Sequence, residues 1–303
     1  LVAVPHLAAL AGVIAITFSP IFVRLSGLSP ATVAFWRLTY ALPAVFAVWL
    51  TVRRRDHRPL RARAQAFAAG LFLALDLFTW HHSIAMIGAG AATLVGATQV
   101  AIVGFVAWAL YRERPSYLAF VVLPVVLGGV ALLSGLGGED AYGEDPVAGV
   151  VLGLVAALCY SVFLLLLRHS NRGHLAPSAG PLLEATLGAL AATVVTAFLD
   201  SGFSLTPSWP AHGWVLALAL LGHAAGWTLI TGALPRLPAL EVSALLLVQP
   251  AGAMIWAQLI FTERLSTIQW AGVGVVLGGI LALGLWGAIH RPALSEALPE
   301  PLA

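Results

Sequence analysis

Asp76, Trp80 and Ser83 share one face of a helix, and His223, Trp227 and Thr231 form a similar stripe at four-residue steps. An ionisable group, an indole and a hydroxyl in that order can bind a small solute by hydrogen bonds and aromatic stacking. Bond-making chemistry has less support. The chain has no Gly-x-Ser-x-Gly, no His-Glu-x-x-His and no clustered Asp motif, so no nucleophile–base pair stands at workable spacing. His81 and His82 are adjacent and point about 100° apart on a helix. No ligand cluster joins them, so neither a metal site nor a cofactor is expected.

Composition decides what must position these stripes. Of 303 residues, 60% are hydrophobic and 9% charged, and mean hydropathy is +0.95. A soluble domain carries about 25% charged residues. The chain is therefore read as an all-α polytopic membrane protein with the lipid bilayer as its partner. All basic residues are arginine. Without lysine there is neither a Walker A phosphate loop nor a retinal Schiff base. No basic stretch lies outside membrane flanks, so no nucleic-acid partner is expected. Cys159 is single, which excludes an internal disulfide. The first apolar run lacks a clear small-residue cleavage site and is read as a retained span.

Cutting at charges, prolines and glycines predicts ten spans, at about 6–25, 30–52, 65–86, 89–111, 117–134, 147–168, 178–199, 211–232, 240–261 and 268–287. Twelve arginines (53, 54, 55, 58, 61, 63, 112, 114, 168, 172, 236 and 291) fall on the side of the N-terminus. Only Arg24 and Arg264 fall on the other, with the acidic loop Glu139, Asp140, Glu144 and Asp145. That bias predicts cytoplasmic termini in a bacterial inner membrane.

The chain also repeats itself. "ERPSYLAFVVLPVVLGG" starts at Glu113 and "ERLSTIQWAGVGVVLGG" at Glu263, and residues 93–133 align without a gap on 243–283. Gln99 matches Gln249, and the glycine pair 128–129 matches 278–279. "TFSPIF" at Thr17 loosely echoes "CYSVFL" at Cys159. Each half is one five-helix unit, and because five is odd the halves must be inverted in the membrane. Inverted repeats place a binding site near the midplane and permit alternating access. The alternative is a duplication kept only for stable packing. Expected boundaries are 1–136 for the first repeat, 137–146 for the acidic outer loop, 147–288 for the second repeat and 289–303 for a cytoplasmic tail.

Ten helices in two halves, each carrying "Q…E-R-x-S…V-V-L-G-G", resemble the drug/metabolite transporter superfamily, specifically its EamA-type branch. The resemblance covers nearly the whole chain. It implies a bacterial exporter of amino acids and related metabolites. It also implies a central cavity lined by spans one, three, four, six, eight and nine, with five and ten outside. Tryptophan-rich spans are similar to aromatic amino-acid exporters of that branch. A passive channel and exporters of other metabolites remain alternatives, and an integral-membrane enzyme a more distant one.

Each polar residue within a span has two readings, because an intramembrane polar group needs a partner or a purpose. Asp76 and Arg37 form either a structural ion pair or groups for coupling and substrate binding. Gln99 and Gln249 sit at equivalent depths and either hold a zwitterion or bond between helices. Trp80, Trp227 and Trp256 line the cavity or anchor helices, with Trp108 near the same core. Trp209, Trp214, Trp270 and Trp286 read as interfacial anchors. Thr17, Ser19, Pro20, Tyr160 and Ser161 either line the cavity or kink their helices. Pro250 is expected to kink span nine, where span four has no proline. Glu184 is placed in a cytoplasmic vestibule. Asp76, His223 and Glu184 are the groups able to titrate during transport. Ser116 and Ser266 are candidate N-caps, the latter with Gln269 completing a capping box. Gly274 and Gly278 could bring two helices together within a monomer or across a homodimer.

Overall fold

Pro30, Pro146 and Gly27 show how this chain punctuates its helices. Each proline occupies a first-turn position where its missing N–H is harmless, and Gly27 ends the helix before it with a φ of 60°. The computed structural model describes residues 3–112, 117–133, 143–171, 179–233 and 239–289. Glu113, Arg114, Ser116, Glu139, Asp140, Arg172, Arg236 and Arg291 lie outside them, as does the expected tail.

The described residues contain helices and no strand, arranged as ten passes. Span one is α1 (Ala3–Thr17) with α2 (Ser19–Ser26), span two α3 (Pro30–Val52) and span three α4 (Leu60–Ile87). Span four is α5 (Ala89–Gly96) with α6 (Gln99–Tyr111), and span five is α7 (Tyr117–Leu133). Spans six and seven are α8 (Pro146–Ser170) and α9 (Ala179–Ala197). Span eight runs from α10 (Ala211–Ala217) through a π-helical stretch, Leu218–Gly226, into α11 (Trp227–Ala233). Spans nine and ten are α12 (Ala239–Phe261) and α13 (Thr267–Ile289). Six passes are long and apolar enough on their own to cross a bilayer, and spans four, five, nine and ten supply shorter apolar stretches.

The packing obeys the inversion. Span three lies against six and seven, as span eight lies against one and two; spans two and seven, four and nine, and five and ten pair with their own counterparts. Exchanging the two halves leaves this pattern unchanged. The molecule is thus a polytopic bundle of two inverted five-helix repeats.

Two close crossings show how small residues set it. Spans three and seven touch backbone to backbone, because a Cβ on Gly70 would strike the carbonyl of Ala185 and one on Gly188 the carbonyl of Phe67. Spans five and ten meet at the second glycine of each pair: Gly129 faces Val275 and Val276, and Gly279 faces Val126. Gly274 and Gly278 have open space before them. Ser266 caps α13 as expected: its hydroxyl accepts the Gln269 N–H at 3.3 Å, and the Gln269 Oε1 accepts the Ser266 N–H at 3.0 Å. Gln269 then donates through Nε2 to the Leu133 carbonyl, joining span ten to span five.

Candidate functional site

Two of the passes break where polar residues gather. Span one breaks at Phe18, because Pro20 sits at the second position of α2 and cannot donate to the preceding turn. Thr17 turns its hydroxyl onto the Ile14 carbonyl at 2.7 Å. Span four breaks at Ala97 and Thr98 with no proline at all, and the Thr98 hydroxyl takes the Val95 carbonyl at 2.7 Å. Span nine keeps its proline inside the helix. α12 continues as one helix from Ala239 to Phe261 with Pro250 inside it. A ring inside a helix removes one hydrogen bond, and α12 packs against spans one, four and ten.

Between these breaks lies a polar and aromatic girdle. Trp227 meets Tyr160 and Phe163 edge-on at 6.1 and 6.2 Å, while Trp256 stacks on Phe18 at 4.8 Å. Trp80 extends from span three with the Arg37 guanidinium 6.0 Å from its ring centre. A Cβ on Gly96 would meet only Trp80, at 3.8 Å, so there is room between the indole and the broken span four. Asp76, Trp80, Gln99, Tyr160, Trp227, Gln249 and Trp256 are all half-buried. Neither glutamine amide makes a side-chain hydrogen bond among the described residues.

Arg37 is the exceptional group. It is 6% exposed, and its Nε and Nη1 have no hydrogen-bond partner. Asp76 and Tyr160 lie within its electrostatic range. Of the two readings of Asp76 and Arg37, the direct ion pair is not seen: no carboxylate among the described residues comes within 4.0 Å of Arg37. Its guanidinium lies instead over the Trp80 ring, one turn beyond Asp76 on span three.

Several other sequence candidates have partners, though the buried Ser19 hydroxyl has no hydrogen-bond partner among the described residues. The Glu184 carboxylate lies 2.8 Å from Arg58 and 3.9 Å from Arg63, so its ion pairs are with the loop before span three and the start of α4. Arg58 also grips Asp56 through two hydrogen bonds of 2.9 Å. His223 is 2% exposed and bonded to the Thr186 hydroxyl at 3.1 Å. Thr186 gives its own proton to the Leu182 carbonyl, so it accepts, and His223 carries its proton on Nε2. Ser83 donates to the Gly149 carbonyl at 2.7 Å, and Ser161 to Ala157 at 2.7 Å. Thr17 packs on Gly252 and Ser19 on Gly222, both hydroxyl residues being buried. Trp108 is 46% exposed and leans on Phe120, away from the inner core where its sequence neighbours had placed it. Thr231's side chain lies outside the described set.

At the end of the bundle that carries few arginines, one carboxylate was missed. Glu263 is 3% exposed; it forms an ion pair with Arg24 and accepts the N–H groups of Ala89 at 2.8 Å and Gly90 at 3.3 Å. Gly88, at a φ of 86°, makes the turn that aims those donors, and a Cβ there would lie 2.6 Å from the Glu263 carboxylate. Beside it opens a pocket of about 450 Å³ whose lining includes Arg24, His81, Gly88 and Glu144. The repeated Glu-Arg pair was the signal; its local cap reading concealed the contact across the fold.

The geometry can be compared with known proteins. A model described as the EamA-like transporter family matches residues 4–135 and again 147–285. A protein of Pseudomonas aeruginosa, described as uncharacterized, is 31% identical over 256 residues, covering 84% of this chain and 83% of its own. An uncharacterized transporter of Bacillus subtilis, YwfM, is 25% identical over 252 residues, covering 82% of each. A solved crystal structure superposes with a TM-score of 0.62 at 17% identity, covering 94% of this chain and 97% of that one, a likeness of fold.

Proposed function

The chain belongs to the EamA-like transporter family, and from that premise we propose that it is a secondary carrier exporting small amphipathic metabolites, amino acids foremost and aromatic ones among them. It works by alternating access, the two inverted halves rocking about a site between them. The termini then face the cytoplasm and the membrane is a bacterial inner membrane, as the arginine bias predicts.

The observation that carries this reading is the girdle itself. Amides at Gln99 and Gln249 without side-chain hydrogen bonds among the described residues, and half-buried indoles, gather where two spans break, inside a bundle whose main contacts between the halves survive their exchange. Polar groups at that depth are costly without a partner or a purpose. The aromatic walls supply stacking area for an aromatic side chain.

Flux in vesicles reconstituted with the whole chain tests it. Saturable uptake of phenylalanine or tryptophan, competed by the unlabelled solute, is expected. Linear, non-saturating flux would make the protein a passive channel, and absence of any amino-acid flux beside movement of unrelated cations would overturn the substrate class.

A further inference from the structure

We propose that Arg37 and Asp76 are the two poles of a zwitterion site: Arg37 takes the substrate's carboxylate and Asp76 its ammonium. The assignment rests on the carrier reading above and specifies which residues of its site recognise the solute.

The argument begins with what is left unsatisfied. A buried guanidinium without partners is among the costliest arrangements in a fold, several kcal/mol by general experience. Arg37 nonetheless presents two buried donors, Nε and Nη1, with nothing to accept them. Asp76, half-buried on the adjacent span, accepts no hydrogen bond among the described residues. Opposite charges in such a setting would gain by closing on one another, yet no bridge within 4.0 Å exists. The structure holds the pair apart with both ends unused.

An α-amino acid carries the complement of both poles. Its carboxylate matches the guanidinium fork, which binds planar anions through two parallel hydrogen bonds. Its ammonium is the complement of a lone carboxylate. Both poles then gain a partner without a direct bridge. The side chain would extend onto Trp80, one turn past Asp76, with Tyr160 and Trp227 forming an edge-to-face pair nearby. A solute bearing one charge would satisfy one pole and leave the other buried and unpaired. Sites of that kind reject the truncated analogue strongly, by factors of about 100 or more. Selection is therefore for a solute that carries both charges.

The test uses the full chain purified in detergent and in vesicles, with phenylalanine, phenethylamine and 3-phenylpropionate as probes. Wild-type protein should bind and exchange phenylalanine at least about 100-fold better than either single-charge analogue. Arg37→Gln should lose most of its advantage for phenylalanine over phenethylamine, and Asp76→Asn most of its advantage over 3-phenylpropionate. This crossed pattern is what a merely structural pair would not produce. Should Arg37→Gln fail to fold, as judged by size-exclusion profile, Arg37→Lys and the wild-type analogue series still decide. Equal handling of all three probes by wild type, or saturable phenylalanine flux with unchanged analogue preference in Arg37→Gln and Asp76→Asn, overturns the two poles and leaves the carrier intact. Absence of flux for every amino acid in a full panel overturns both readings.

Discussion

Glu263 reaches across 239 residues of sequence to pair with Arg24, and the same carboxylate receives the first two N–H groups of α5. One side chain thus fastens the loop after span nine to the ends of spans one and four, at the face where Arg24 lines the open pocket. Burial raises the Glu263 carboxyl above its usual range, and the Ala89 N–H, Arg24 and the Gly90 N–H offset part of that rise. Replacing Glu263 by Ala leaves a cation and two donors without their acceptor. A loss of about 2–3 kcal/mol is expected, read as a lower melting temperature in detergent. Glu263→Gln keeps an acceptor oxygen for the amides and should fall between Ala and wild type. Equal stability of all three proteins would show that the clasp contributes nothing.

Gln99→Ala and Gln249→Ala should separate transport from folding. Neither amide bonds to the protein among the described residues. Their removal should change stability by less than about 0.5 kcal/mol, with vesicle flux falling severalfold. A large drop in folded yield would instead mark them as links between helices.

Thr186→Val removes the hydroxyl that accepts from His223 Nε2. A donor left unpaired in a buried position costs about 1–3 kcal/mol. The expected result is a lower melting temperature with an unchanged KM for the transported solute. A changed KM with unaltered stability would return His223 to the binding site.

Gly188→Ala places a methyl group against the Phe67 carbonyl and forces spans three and seven apart. Folded, monodisperse protein should fall sharply. Gly278→Ala, which faces open space, is the matched control and should express as wild type. Similar yields for the two variants would refute the close crossing.

Acid should loosen both ends of the bundle. At Asp200 burial raises the carboxyl's pKa, but hydrogen bonds from Ala31, Gly202 and Ser29 outweigh it, so the net shift is downward. At Asp56 burial likewise raises it, and the hydrogen bonds and charge of Arg58 outweigh that, again lowering it. A carboxyl depressed in the folded state contributes stability that is present above its unfolded value, about 3.9, and is lost as pH falls through its folded value. Melting temperature should therefore show no contribution from these groups to the change between pH 7 and 5, and should fall below about pH 4. Asp200→Asn should flatten part of that fall; an identical acid profile would exclude Asp200 as a contributor.

The architecture was legible because its signals are local or periodic. Apolar run length predicted ten passes, and the echo of Glu113–Gly129 in Glu263–Gly279 predicted two halves whose odd helix count forces inversion. The Ser266–Gln269 cap was equally readable, being a contact across three residues. Pro250 lies inside a helix assigned without a break from Ala239 to Phe261, so proline alone did not mark where a pass is interrupted. Span four broke without proline, where a threonine hydroxyl captured a carbonyl.

Composition, run length and repetition by themselves determined that this chain spans a membrane as two opposed five-helix units. Tertiary structure alone decided which polar groups meet: Arg24 with Glu263, Glu184 with Arg58, His223 with Thr186, and Arg37 with none of the described acids at bridging distance. The reason is physical. In a membrane protein the lipid-facing and core-facing sides of a helix are both apolar, so sequence periodicity leaves the rotation of each helix unmarked. Rotation and crossing distance fix whether a charge finds a partner, and both are set by glycine contacts between helices distant in sequence.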